Sequence, residues 1–148
     1  MSLIDNLLPL EDIVVNLEAS SKKRVFEQAG LLFENNHGIA QSTVFDSLFA
    51  REKLGSTGLG QGVAIPHGRI KGLKTALGAF FRLAAPVPFD SPDGKPVSLL
   101  FVLLVPETAN ELHLQILSEL AQRFADRAFR DSLGAAADAA AIRQLFVA

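Results

Sequence analysis

Apolar positions recur along the chain at two spacings, and these divide it into strands and helices. Residues 13–15 form a short β-branched run. Beyond it, Val25, Phe26, Ala29, Leu32 and Phe33 return at helical spacing, with Ser20 or Ser21 placed as a cap and Asn35-Asn36-His37-Gly38 as a stop. A second helix is expected to start after Ser42, to bury Val44, Phe45, Leu48 and Phe49, and to end at Gly55 with Arg51 and Lys53 in its last turn. The segment GSTGLGQG (55–62) has four glycines and leads into a short apolar strand, VAIP, which His67 follows directly.

Two longer strands are expected at 76–83 and 97–105, separated by a turn-rich loop containing Pro86, Pro88, Pro92-Asp93-Gly94 and Pro96. The second is apolar throughout, as in a strand covered on both faces. Thr108 or Asn110 is placed to cap a long helix with the stripe Leu112, Ile116, Leu117, Leu120, Ala121 and Phe124, and His113 falls in its first turn. Shorter helices follow at 127–133 and 138–146. This alternation predicts an α/β sandwich, a central mixed sheet with helices on both faces. With no repeat, linker or composition break, residues 1–148 read as one domain.

Composition narrows the function. Fourteen lysines and arginines against sixteen aspartates and glutamates give a net charge of −2, with no basic arm, so nucleic acid is not expected as a partner. There is no cysteine, which removes disulfides, thiolate nucleophiles and Cys-ligated zinc. The longest apolar run, 97–105, is far short of the roughly 20 residues of a membrane helix, and the N-terminus lacks signal-peptide regions. These features predict a cytoplasmic protein without membrane insertion.

The glycines do not fit a nucleotide loop. No lysine stands where a P-loop needs one, and Gly58, Gly60 and Gly62 precede a strand where the dinucleotide fingerprint follows one. Two readings of the residues stay open: glycines that only permit tight turns beside an idle histidine, or a histidine deliberately presented. Pro66 fixes its own backbone and Gly68 leaves the ring unshielded, an arrangement that suits a nucleophile.

From Glu52 to Gly68 the chain reads EKLGSTGLGQGVAIPHG. This resembles the active-site histidine signature of enzyme IIA domains of the mannitol/fructose class in the bacterial phosphoenolpyruvate-dependent phosphotransferase system. Glu52, Leu59, Gly60, Val63-Ala64-Ile65-Pro66-His67 and Gly68 stand in its register. Length, element order and the placement of Arg51 and His113 extend the likeness across the chain. The segments SKKRVFEQAGLLFE and FAREKLGSTGLGQGVAIPHGRI, in a free-standing chain, look most like the nitrogen-regulatory members.

The resemblance implies that His67 accepts a phosphoryl group, through Nε2, from the phosphocarrier protein HPr or its nitrogen-branch counterpart. It also implies that Arg51 and His113 stabilise the group, and that regulated target proteins are the further partners. A guanidinium, always charged and with planar donors, suits phosphate oxygens. Gly68, Arg69, Leu54 and Leu59 are candidates for partner docking. No cofactor is expected, and the three histidines, His37, His67 and His113, lack the close spacing of a local metal motif. The competing functions are a sugar-specific IIA component of a transporter, a binding-only regulatory module and a metal-dependent hydrolase.

Overall fold

The computed structural model describes residues 3–108 and 111–147. Six strands form one mixed sheet: β1 (Ile13–Leu17), β2 (Gly58–Gly60), β3 (Val63–Ala64), β4 (His67–Ile70), β5 (Leu77–Val87) and β6 (Val97–Pro106). Their spatial order is β1-β5-β6-β3-β2, with β4 also paired to β6. β5 runs antiparallel to β6 and parallel to β1, while β3 and β4 both run parallel to β6 and β2 turns back on β3.

The helices α1 (Lys22–His37) and α2 (Gln41–Leu54) cover one face, and α3 (Glu111–Ala125), α4 (Arg127–Ala135) and α5 (Ala139–Val147) cover the other. β6 explains why both faces need cover. Its Leu100, Val102 and Leu104 join Val25, Phe26, Phe33, Val44 and Leu48 in one core, while Leu99, Phe101, Leu103 and Val105 join Ile116, Leu120, Phe124, Ile142 and Phe146 in the other. The expected α/β sandwich, with helices on both faces of a mixed sheet, is therefore the observed fold.

α1 ends where its local signals place it. The Ser21 hydroxyl accepts the Arg24 N–H at 3.2 Å, and Gly38 takes the left-handed conformation (φ 71°) that closes the last turn on the Glu34 and Phe33 carbonyls.

Other expectations need correction. α2 starts at Gln41, ahead of Ser42, with no side-chain cap of its own. A carboxylate of α1 replaces that cap, Glu34 accepting the Gln41 N–H at 3.0 Å. Phe49 is not buried on α2: Val44, Leu48 and Glu52 face inward, and Phe49 is 36% exposed, stacked on Phe45. The glycine run is partly strand β2, and His67 opens β4 instead of following a strand into a loop. β5 runs on through Pro86, where β1 has ended and no neighbour needs the missing N–H. On α3, Leu112 stays 47% exposed. Of its two expected caps, Thr108 lies in the turn before the helix and Asn110 falls outside the described residues.

Candidate active site around His67

The site grows out of a strand track that breaks without losing register. Val63 and Ala64 pair with Leu99 and Leu100, and His67 and Gly68 pair with Leu103 and Leu104, the same offset on both sides of Ile65-Pro66. Pro66 has no N–H to give, but its carbonyl still accepts from Leu103 at 2.9 Å. Alternation then sets the side chains. His67 falls on the face covered by α3, and Gly68 on the face covered by α2, where Ser47 lies so close that an added Cβ would stand 3.1 Å from its backbone carbon. Ser47 uses that closeness to donate its hydroxyl to the Arg69 carbonyl at 2.8 Å.

Ile65 points its backbone groups away from β6. Its N–H donates to the Thr57 carbonyl at 3.0 Å, and its carbonyl, on the same side, lies 2.8 Å from His67 Nδ1. A carbonyl only accepts, so the proton sits on Nδ1. Nε2 keeps the lone pair and has no hydrogen-bond partner among the described residues.

His67 lines a cavity of about 1140 Å³ with Arg51, Leu54, Gly68, Arg69, Glu111, His113 and Leu114. The helices supply the sequence-predicted groups from both sides of the sheet edge. Arg51 comes from the last turn of α2, its Nη1 donating to the Gly55 carbonyl at 2.8 Å. His113 comes from the first turn of α3, where the helix dipole favours an anion. Arg69 lies beside the ring but holds the Glu107 carbonyl at 3.0 Å, and Leu54, 84% exposed, forms the rim. Leu59 is not in this cavity; it lines a separate cleft with Gly60, Gln61, Ala121 and Phe124.

His37 is elsewhere, its Nε2 bonded to the buried Asp12 carboxylate at 2.6 Å. Among the described residues no group of three or more His, Cys, Asp or Glu side chains is gathered to hold a metal ion. Sequence reasoning gave Glu52 no role beyond a letter of the signature, and passed over Thr57. The signal was present: Glu52 continues the buried positions Val44 and Leu48 at four-residue steps, and an acid on such a stripe needs a reason.

Burial is the main influence on the ring. It lowers the His67 pKa below the ordinary 6.5, the Ile65 hydrogen bond opposes this, and the Arg51 charge adds to the lowering. The imidazole therefore stays neutral and nucleophilic as pH falls past 6.5. The unfolded chain takes up that proton first, so the associated stability is present above 6.5 and is lost as pH falls through the folded value. An NMR titration is expected to give a His67 midpoint below 6.5, and a midpoint above it would contradict the burial argument.

Comparison with known proteins now decides the family. Residues 6–148 match the model for "Phosphoenolpyruvate-dependent sugar phosphotransferase system, EIIA 2". The chain belongs to this family. As an EIIA type 2 protein it is a phosphoryl carrier, a component of the phosphotransferase system. It is similar to the nitrogen regulatory protein of Pseudomonas aeruginosa, 48% identical over 135 residues, covering 90% of this chain and 88% of that one. The crystal structure of nitrogen regulatory protein IIA-Ntr from Neisseria meningitidis superimposes with a TM-score of 0.93 at 57% identity, covering 97% and 99% of the two chains. A fructose-specific EIIA component from Haloferax volcanii is 34% identical, covering 88% of this EIIA chain and 85% of its own. No described helix of this EIIA protein is long and apolar enough to cross a membrane.

Proposed function

We propose that His67 accepts the phosphoryl group on Nε2 from HPr or its nitrogen-branch counterpart, and that the phosphorylated and free forms bind regulated target proteins differently. The observation that carries this reading is the Nδ1–H to Ile65 carbonyl bond, which leaves Nε2 as the nucleophilic nitrogen. The transfer breaks one P–N bond on the donor and forms another at Nε2. His67 keeps its Nδ1 proton throughout, so no general base is required.

Charge develops on the equatorial oxygens of the transferring group, and Arg51 and His113 are the groups in the cavity suited to meet it. Arg51→Gln is expected to slow acceptance about a hundredfold, the usual cost of a lost charge-stabilising donor. Its Gly55 bond is exposed, so stability should change by no more than about 1 kcal/mol. Arg51→Lys keeps the charge but not the planar fork, and an intermediate rate is expected. Quenched-flow phosphorylation with unchanged urea midpoints checks both, and an Arg51→Gln rate equal to wild type sinks the assignment.

The regulatory reading is supported by the identity to nitrogen regulatory proteins over most of both chains. An added dianionic group changes local charge and acceptor count enough to switch a docking surface. Gly68, Arg69 and the exposed Leu54 and Leu114 frame the cavity as the docking rim, while Leu59 lies on a separate cleft and is left out of it. The runner-up reading is a sugar-specific IIA component, favoured by the likeness to the fructose-specific protein.

Intact-mass analysis after incubation with phosphoenolpyruvate, enzyme I and HPr or its nitrogen-branch counterpart tests the shared chemistry. One added phosphoryl group, labile in acid and stable in alkali, is expected. Onward transfer to a fructose-specific acceptor domain would favour the transport reading.

A further inference from the structure

Glu52 is an acid on the buried stripe of α2, its side chain 3% exposed, and among the described residues its donors come from Lys22 and Thr57. Oε2 accepts from Lys22 Nζ at 3.0 Å and from the Thr57 N–H at 3.0 Å, and Oε1 accepts the Thr57 hydroxyl at 2.6 Å. Thr57 is itself buried, and Lys22, at the start of α1, lies 4.7 Å over the Phe89 ring. A carboxylate held this fully grips one backbone segment hard.

That segment leads straight to the ring. The Thr57 carbonyl accepts the Ile65 N–H at 3.0 Å, and the Ile65 carbonyl accepts His67 Nδ1–H at 2.8 Å. Ile65 lies in the break between β3 and β4 on the side of β6, and its outward N–H carries the β2–β3 pairing one step past Gly58 and Ala64, on to Thr57. The Ile65 N–H is held by the Thr57 carbonyl, so the peptide planes that aim the Ile65 carbonyl depend on where Thr57 is held. An imidazole proton goes to whichever nitrogen finds the acceptor.

We infer that Glu52 and Thr57, with Lys22, are positioning residues that select the tautomer of His67: they hold the Ile65 carbonyl in place and so determine which ring nitrogen is nucleophilic. Among the described residues none of the three hydrogen-bonds the ring, although the Glu52 charge reaches it through space and favours its protonated form. Their positioning action runs through Thr57 and Ile65 main chain, and it rests on the reading of His67 as the phosphoryl acceptor.

The test uses the ¹⁵N shifts of the His67 ring in the unphosphorylated protein, which report the tautomer without any transfer step. Wild type is expected to carry its proton on Nδ1. Thr57→Val, the same shape without the hydroxyl, and Glu52→Gln, which sets an amide against its donors, are expected to mix the tautomers. Both should slow phosphoryl acceptance by about tenfold, the lower end of what orienting partners are worth elsewhere. Thr57→Ser restores the hydroxyl and should restore both readouts.

A destabilising change outside this chain of contacts, Phe33→Leu in the α1 core, separates positioning from mere stability: it should lower the urea midpoint and leave the ring shifts alone. Thr57→Val with the wild-type tautomer and rate overturns the inference, whether or not Glu52→Gln folds. Tautomer mixing in a chain that takes up no phosphoryl group would instead overturn the acceptor reading and leave the positioning role intact.

Discussion

His67→Gln takes up no phosphoryl group and keeps its fold. An amide nitrogen has no available lone pair, so the substitution removes the nucleophile outright and the expected loss is complete. The site otherwise tolerates the change. Glutamine is of similar length, the position is only half-buried, and its amide can donate to the Ile65 carbonyl as Nδ1–H does, so stability should shift by no more than about 1 kcal/mol. Intact mass of wild type and variant, treated in parallel with the same donor proteins, reads the first expectation, and urea midpoints read the second. A phosphoryl group on His67→Gln would move the acceptor elsewhere, with His113 the next imidazole in the cavity to examine.

The second large effect lies far along the chain. Phe146, fully buried on α5, sets its ring against Phe80 at 5.3 Å, Phe101 at 5.5 Å, Phe124 at 6.0 Å and Phe129 at 5.2 Å, mostly edge to face. One side chain thus joins β5, β6, α3 and α4. Phe146→Ala is expected to cost about 3–5 kcal/mol, a large part of the roughly 5–15 kcal/mol a domain possesses. Phe49→Ala is the contrast. Phe49 is 36% exposed and stacked only on Phe45 and under Lys53, so its loss should cost under about 1 kcal/mol. Chemical denaturation of both variants checks the pair, and equal losses would contradict the burial argument. Because Phe124 belongs to the helix that carries His113, Phe146→Ala should also slow acceptance before it unfolds the protein.

Legibility from the sequence followed how locally each feature is held. α1 carries its own capping serine and closing glycine, and β6 its own unbroken apolar run, so both could be read directly. His67 was singled out through a signature and Arg51 and His113 through the wider family likeness, and the fold gathers all three around one cavity. β2 and β4 were hidden because runs of three and four residues are too short to show a pattern of their own; pairing with β3 and β6 makes them strands. The start of α2 was hidden because its first N–H is met by Glu34, a residue of another helix. Phe49 misled because α2 is turned to lay Ser47 on Gly68, which rotates Phe49 outward and Glu52 inward. The rim leucines could be named but not placed, since Leu54 and Leu59 belong to different clefts.

The constant offset between the β3–β4 track and β6 makes the stretch from Val63 to His67 a measured length. Each residue advances the track by about 3.3 Å and reverses its face. One residue more or fewer there would turn the imidazole toward α2, into the place where Ser47 leaves room for no side chain. Two would return it to the correct face but carry it past the mouth of α3. Individual side chains along this stretch can vary within the space around them, whereas its residue count is held to a single value by the geometry of the sheet, and insertions belong in the outer loops.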